Sequence, residues 1–517
     1  MGDQGIGSWP WRRARMLPDA IALRQGAASL SYGQLAQRVD ALAGGLASLG
    51  VRKGDRVAYL GLNDIATFET FFATGRLGAI FVPLNTRLAS AEIADLLADC
   101  GARVLVHASE AASLVAEALA AEALAAEALA AGGRAACTVV SLGVDFESLH
   151  HEDAFTQTQV ALDDPALILY TSGTTGRPKG AVLTHGNLTF NTMNQLAHVD
   201  VLRTDVVLCT APLFHAVGLG QVTLPTLFKG GSVVIAPKFD PAWMLATIGD
   251  LQITAFSAVP TMMQMLCDHP GWADADLSSL RYVIYGGSPV LERVARAWQD
   301  RGVDVLQGYG MTEAAPGVFL SLSEGSAQRP TSAGVVHFFT DVALLGGDGV
   351  VTSAPGTGEV LVNGPNVFAG YWQRPHDTAD AMIDGWFRSG DLGRVDDDGW
   401  AYIIDRVKDV IISGGENIYP AEVEAVLAQL PQVAECAVVG VPDERWGEVG
   451  LAYITTYPET PLDETTVRSH LEQRLAKFKR PHYIHFVEAL PRTATGKLQK
   501  AKLRAAFEKT DETSERA

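Results

Sequence analysis

Apolar and polar positions along residues 29–107 alternate between two periods. Arg56-Val-Ala-Tyr-Leu-Gly61 is a short apolar run of strand type, whereas Leu35–Ala47 has its apolar residues at helical spacing. Thr67–Gly75 predicts a helix, Ala79–Pro83 a strand, Ser90–Cys100 a helix and Arg103–Val106 a strand. Strands alternating with helices argue for layered α/β structure around a largely parallel sheet.

The pattern resumes with the buried-type runs Ala166–Tyr170, Val206–Thr210, Ser232–Ala236, Ile253–Ser257, Leu280–Tyr285 and Val303–Leu306. The last three run into special loops: Val259-Pro-Thr-Met262, Gly286-Gly-Ser-Pro289 and Gln307-Gly-Tyr-Gly-Met-Thr-Glu313. Ligands of open α/β sheets bind beyond the carboxyl ends of strands, so such loops point to one composite cleft. From about residue 340 the runs shorten and predict a small β-barrel closing the large domain. Asp405-Arg-Val-Lys-Asp409 is a charged bridge between apolar strands, and beyond it Cys436–Gly440, Leu451–Thr455 and Tyr483–Phe486 alternate with helices at Pro420–Gln429 and Asp463–Ala476. The expected fold is therefore an α/β protein with a large N-terminal domain (1–404), a hinge (405–409) and a small mobile α+β C-terminal domain (410–517). The polar tail after Phe507 predicts disorder.

One stretch breaks the pattern. Ala116-Glu-Ala-Leu-Ala repeats three times, through Ala130, in a strongly helix-forming composition. A five-residue step advances roughly 140° net, so its leucines spiral instead of forming a stripe. It predicts a lengthened surface helix, ended by Gly132-Gly133, with no part in the chemistry.

The strand at Ala166–Tyr170 empties into Thr171-Ser-Gly-Thr-Thr-Gly-Arg-Pro-Lys-Gly180. Glycines let successive N–H groups face one point, and hydroxyls and two cations add donors, which suits a polyphosphate. It is not a Walker A loop, because Pro178 stands where the second glycine belongs.

Composition narrows the partners. At 517 residues the chain exceeds one core, and 48% apolar with 19% charged residues is ordinary for a soluble globular protein. A net charge of −19 argues against nucleic acid or an anionic membrane as the main partner. No run reaches the roughly 18 apolar residues of a membrane helix, and the N-terminus has no signal-peptide core or myristoylation motif. Five scattered cysteines, without metal spacing, fit a reducing cytoplasm, the expected location.

Glu313, in Tyr-Gly-Met-Thr-Glu after a strand, is the carboxylate that a Mg²⁺–ATP site needs, since Mg²⁺ takes one or two carboxylates plus phosphate oxygens. Thr312 and the hydroxyls of 171–175 suit phosphate oxygens, with Thr174 the expected second metal ligand. Asp391, in Ser-Gly-Asp, suits the two ribose hydroxyls as a bidentate acceptor. Tyr309 can stack on adenine, and Arg406 can reach ribose or phosphates. Residues 474–504 carry nine Lys or Arg and one acid, Glu488, a basic face suited to ATP or coenzyme A. Within it Lys497 is placed to stabilise charge building on an α-phosphate. His215, after Phe214 in a glycine-bracketed loop, suits a gate between acid and CoA tunnels.

Five ordered stretches carry a resemblance: Thr171–Gly180, Phe214-His215, Tyr309–Glu313, Ser389–Asp391 with Asp405–Lys408, and Pro491–Lys497. Together they resemble the adenylate-forming superfamily across essentially the whole chain. The resemblance implies formation of an acyl-adenylate from acid and ATP, then rotation of the small domain to admit CoA. It makes Lys497 the adenylation lysine, with Glu313 and His215 beside it as catalytic residues, and Lys408 the hinge. ATP contacts are implied for Thr171, Ser172, Gly173, Thr174, Thr175, Gly176 and Lys179 in the first loop. Gly286, Gly287, Ser288, Gln307, Gly308, Tyr309 and Thr312 supply the middle loops, with Asp391 and Arg406 beyond. Gly414, Gly415, Glu416 and Asn417 belong to the face used for thioester formation. Val407–Glu424 resembles the CoA-ligase branch, and no carrier-protein domain follows Lys497, which disfavours a peptide-synthetase module. The opening Gly7-Ser-Trp-Pro-Trp-Arg-Arg-Ala-Arg-Met16 with Pro83–Leu88 is similar to bacterial feruloyl-CoA synthetases and related fatty-acyl-CoA ligases.

These features imply an AMP-forming carboxylic acid–CoA ligase using ATP, Mg²⁺ and CoA, with a hydroxycinnamate narrowly ahead of a medium or long fatty acid. Adenylation without CoA is a further alternative, and a nucleotide-sensing scaffold without activity is disfavoured by Glu313, Asp391 and Lys497 occurring together. The expected acid pocket is lined by Val217, Gly218, Val259, Met262, Gly286, Gly310, Met311 and Ala315, with Phe214 and His215 as further substrate or CoA contacts. The protein is expected to act as a monomer or homodimer.

Overall fold

The structure is a computed structural model that describes residues 3–128, 137–150, 158–171, 178–287, 292–413, 416–443, 445–458, 460–492 and 498–514, with side chains omitted at 121–128, 416–417 and 508–514. By compactness the chain forms two units. The first comprises Met1–Val342, Val362–Arg388 and Gly399–Ala401; the second comprises Ala343–Leu361, Ser389–Asp398 and Tyr402–Ala517.

Two sheets organise the first unit. One has nine strands, in the order Val335–Val336, Gly317–Leu320, Asp304–Gly310, Tyr282–Tyr285, Ala255–Ala258, Val206–Cys209, Ser232–Ile235, Ile21–Gln25, Ala28–Ser31. Pairing is parallel from Asp304–Gly310 through to Ile21–Gln25 and antiparallel at both margins. The other has seven, in the order Gly370–Tyr371, Lys179–Thr184, Pro165–Thr171, Ile80–Pro83, Arg56–Leu60, Val104–His107, Thr138–Ser141. Its last five strands are parallel, whereas Lys179–Thr184 pairs antiparallel with Pro165–Thr171, and Gly370–Tyr371 pairs antiparallel with Lys179–Thr184.

The apolar periods explain the layering. On the larger sheet, Phe256 and Val283 are buried against Met244 and Ile248 of helix Pro241–Asp250, Met263 of Pro260–Cys267 and Trp298 of Glu292–Gln299. On the smaller, Ala58, Val82 and Leu105 pack on Ile93, Leu96 and Leu97 of helix Ser90–Cys100. The alanine-rich repeat as far as Ala128 lies in helix Ala112–Ala128, whose Val115 and Ala118 join that core; Leu129, Ala130, Gly132 and Gly133 lie outside the described residues.

Helix ends are marked chemically. Ser31 and Gln34 form a reciprocal capping box at helix Tyr32–Ser48, and Thr184 and Asn187 do the same at His185–His198. Asp64 caps Ile65–Leu77, which stops at Gly78 with φ 66°.

The strands expected as a small β-barrel form a six-stranded sheet: Val351–Ser353, Asp341–Leu345, Gly356–Asn363, Trp386–Val395, Met382–Ile383, with Ala401–Arg406 beside Trp386–Val395. In the second unit a five-stranded sheet is built on the antiparallel pair Val433–Asp443 and Gly447–Thr456, with Tyr483–Phe486 added in parallel. One of its faces buries Val438, Ala452 and Ile454 with helices Pro420–Leu427 and Glu464–Glu472, and the other buries Val439 and Leu451 with Leu503 of Lys500–Ser514. Among the described residues no helix is long and apolar enough to cross a membrane.

Candidate active site

Glycines let the motif loops of the first unit touch. A Cβ on Gly286 would lie 2.8 Å from the Gly308 carbonyl oxygen, and one on Gly220 would lie 2.4 Å from Pro316 Cδ. At Gly310 the clearance is smallest, 1.7 Å to the Pro316 oxygen. The loops after strands Tyr282–Tyr285 and Asp304–Gly310, with helix Ala216–Gly220, therefore meet at backbone distance. Any larger residue at these points would force them apart.

Helix His185–His198 locks this junction from beneath. Asn187, Asn191 and Asn194 recur at helical spacing and are buried. Asn187 Nδ2 donates to the Pro365 and Val367 carbonyls, each at 2.8 Å, and Asn191 Nδ2 donates to Gly220 O at 2.9 Å. Asn191 Oδ1 accepts from Gly317 N at 3.2 Å, and Asn194 Oδ1 accepts from Phe339 N at 2.8 Å. Asn366, also buried, donates to Ala314 O and Gly317 O at 3.0 and 2.9 Å. Buried amides that lose such partners leave main-chain groups unsatisfied, at roughly 1–3 kcal/mol each.

Glu313 lies in the resulting turn, Thr312–Ala314, which closes on Ala315 at φ 64°. Its carboxylate is buried, its main-chain oxygen accepts from Phe368 N at 2.8 Å, and its Oε1 accepts from the Tyr371 hydroxyl at 2.8 Å. Burial, with the Glu313 charge next, pushes the Tyr371 phenol far above its usual range, so it stays a donor. The Tyr371 ring also lies 5.4 Å from the Lys179 ammonium, which pairs with Asp377. Tyr371, Asp377 and the asparagines were not foreseen. A row of asparagines on one helical face was the available signal.

The strands on either side of the expected phosphate loop, Pro165–Thr171 and Lys179–Thr184, pair antiparallel in the register Thr171↔Lys179. The Thr171 hydroxyl donates to Lys179 O at 3.3 Å, and a Cβ on Gly180 would lie 2.7 Å from Ile168 Cγ2. Ser172, Gly173, Thr174, Thr175 and Gly176 lie outside the described residues, as do Ser288, Gly414, Gly415 and Lys497. Glu416 and Asn417 are described only as backbone of strand Glu416–Ile418.

His215 precedes helix Ala216–Gly220, in a loop held by Asn63, which accepts from Leu213 N at 2.9 Å and donates to Ala211 O at 3.0 Å. The His215 ring stands edge-on to Phe214, centroids 4.7 Å apart. Burial, with the Arg87 charge second, lowers its pKa to about 4, so the imidazole is neutral near pH 7. Its Nε2 is buried and has no hydrogen-bond partner among the described residues.

The other expected contacts spread around this centre. Gln307 is buried and accepts from the Tyr285 hydroxyl at 2.9 Å, while the Tyr309 ring tilts against Phe319 at 5.7 Å. Gly287 takes φ 92° with nothing within 4 Å of a Cβ there. Of the expected acid-pocket residues, Ala315 and Gly218 are buried, Val217, Met262 and Met311 are half-buried, and Val259 is exposed. Met262 packs against the core beneath the larger sheet.

In the second unit Asp391 and Arg406 are partners: Arg406 Nε lies 2.6 Å from Asp391 Oδ1. Gly390, at φ 70°, turns its N–H onto Glu359 Oε1 at 3.1 Å. Lys408 is exposed in the turn Val407–Asp409. Asp405 anchors that turn by accepting from Arg406 N and Ala421 N at 2.7 and 2.9 Å.

Comparison with known proteins adds to this geometry. Residues 10–372 match the family model for AMP-binding enzyme, and 422–497 match that for the AMP-binding enzyme C-terminal domain. The chain is 49% identical over 508 residues to a feruloyl-CoA synthase of Amycolatopsis sp, covering 98% of this chain and 100% of that protein. It is 41% identical over 510 residues to an indoleacetate–CoA ligase of Aromatoleum aromaticum, covering 96% and 97%. Among solved structures, o-succinylbenzoate CoA synthetase from Bacillus subtilis, in complex with its acyl-adenylate intermediate, superposes with a TM-score of 0.83. That match is 32% identical and covers 96% of this chain and 98% of the other.

Proposed function

The chain belongs to the AMP-binding enzyme family, and from that premise we propose that its acid is a hydroxycinnamate such as ferulate. The protein is an AMP-forming carboxylic acid–CoA ligase acting on an acid, ATP and CoA. The similarity to ligases of two aromatic acids, feruloyl and indoleacetate, favours a flat ring over a fatty chain. The reading also assigns the protein to the cytoplasm and takes 405–409 as the hinge between 1–404 and 410–517.

The observation that carries the site is the buried Glu313 carboxylate, held at Oε1 by Tyr371 where the motif loops converge. Among the described residues its second oxygen has no hydrogen-bond partner. A single carboxylate with an oxygen to spare is the protein contribution that a Mg²⁺–phosphate centre uses. Glu313, with Thr174, would hold Mg²⁺, which supplies charge neutralisation at the phosphates.

In the first step a carboxylate oxygen of the acid forms a bond to the α-phosphorus as the bond to diphosphate breaks. The thiol of CoA then adds to the acyl carbonyl and AMP departs. Lys497 stabilises the charge developing on the α-phosphate. The ring of neutral His215, with a free Nε2, guards the passage between acid and thiol. Asp391 takes the ribose hydroxyls with Arg406 at its side. Ferulate-dependent exchange of pyrophosphate into ATP tests the reading: exchange that ignores added acid would sink it.

A further inference from the structure

We propose that Tyr371 is a positioning residue of this ligase, acting on ATP through the carboxylate of Glu313; the proposal rests on the ligase reading above. Tyr371 touches two separate parts of the candidate centre. Its hydroxyl donates to Glu313 Oε1 at 2.8 Å, and its ring centroid lies 5.4 Å from Lys179 Nζ, at the base of the phosphate-loop hairpin.

Four contacts fix where the ring goes. Strand Gly370–Tyr371 pairs with the hairpin in the register Gly370↔Val182 and Tyr371↔Ala181. Tyr371 N donates to Thr378 Oγ1 at 2.9 Å, and a Cβ on Gly370 would lie 2.8 Å from Thr378 Cγ2. The ring meets Phe368 edge-on at 4.9 Å, and Phe368 N in turn donates to the Glu313 main-chain oxygen. Tyr371 is therefore built into the same edge that carries Lys179, with its hydroxyl aimed at the carboxylate. A terminal carboxylate torsion is soft. One charge-assisted hydrogen bond at Oε1 removes that freedom and leaves Oε2 facing a single direction.

Tyr371→Phe keeps the ring, its contact with Phe368 and the seat of Lys179, and removes only the hydroxyl. Calorimetry of ATP binding is read with Mg²⁺ and with EDTA. The variant is expected to lose roughly tenfold in affinity for MgATP, the scale of one hydrogen bond to a charged group. Its affinities for metal-free ATP and for ferulate stay at the wild-type values. KM for MgATP rises with it, while thioester formation from supplied feruloyl-adenylate is unchanged. In a Glu313→Gln background Tyr371→Phe is expected to add nothing further, because the tyrosine acts through the carboxylate.

Equal losses for ATP with and without Mg²⁺, or a matching loss in the thioester step, would assign Tyr371 a merely structural role. Unchanged MgATP affinity, or full additivity with Glu313→Gln, would overturn the proposal. Wild-type protein that fails to bind MgATP would instead refute the ligase reading on which it rests.

Discussion

The Asp391 carboxylate and the Arg406 guanidinium, read from the sequence as separate nucleotide contacts, are bonded to each other at 2.6 Å. Asp391 is buried, so the arginine both neutralises its charge and fixes its direction. Groups joined in this way do not contribute independently. Asp391→Asn and Arg406→Ala should each weaken ATP binding, and the double variant should lose less than the sum. The expected coupling is about 0.5–3 kcal/mol. Strict additivity would mean the pair is incidental to nucleotide binding.

Gly310→Ala should disable the site through the backbone alone. Its new Cβ would lie 1.7 Å from the Pro316 oxygen, so the turn carrying Glu313 must move. Pyrophosphate exchange should fall at least tenfold, an estimate on the scale that misplacing a catalytic group produces. Gly302, at φ 78° with nothing within 4 Å of a Cβ, provides the contrast. Gly302→Ala should lower stability by about 1 kcal/mol and leave exchange unchanged. Equal effects of the two substitutions on exchange would contradict the role given to the Gly310–Pro316 contact.

Stability should fall as the pH drops from 6.5 towards 5. Burial lowers His185 to about 4 and His337 to about 3, with the nearby His198 charge adding to the effect on His337. In the unfolded chain a histidine titrates near about 6.5. Between those values the unfolded state holds more protons, so unfolding is favoured as pH falls. Their contribution is complete above the unfolded pKa and drains away below it. Glu69 stays ionised in this window: burial would raise it, but His150 and Arg38 together hold it below its usual value. Urea midpoints at pH 7.5 and 5 measure the effect. His337→Gln, which cannot ionise, should lessen the fall, and a midpoint that rises on acidification would contradict the burial of neutral imidazoles.

Lys497→Ala should reduce adenylation by about 10²-fold or more, the scale of losing one charge-stabilising donor. CoA transfer from supplied acyl-adenylate should survive. Unchanged overall turnover would remove Lys497 from the mechanism.

Much of the fold is legible where periodicity is local. Strand Arg56–Leu60, helix Ser90–Cys100 and strand Tyr483–Phe486 fall where the apolar spacing puts them. Strand Ile21–Gln25 escaped notice, since its parallel partner Ser232–Ile235 lies far along the chain. Lys179–Thr184 was read only as the end of a cationic loop, and its pairing with Pro165–Thr171 appears only when the hairpin closes.

The candidate site follows the same division. Glu313 was legible because its neighbours Tyr-Gly-Met-Thr form a motif, whereas its partner Tyr371 lies 58 positions away in an unremarkable tripeptide. Asn191 and Asn366 were hidden for a further reason. A buried amide satisfying carbonyls is indistinguishable in sequence from a solvated one, and only the packed loops reveal its partners.

The central claim is most directly tested by CoA-thioester formation with purified protein, ATP and Mg²⁺, offering ferulate and dodecanoate separately. The account predicts feruloyl-CoA, with AMP and pyrophosphate in equal amounts, at a kcat/KM well above that for dodecanoate. Pyrophosphate release without thioester from either acid, or a clear preference for dodecanoate, would contradict it.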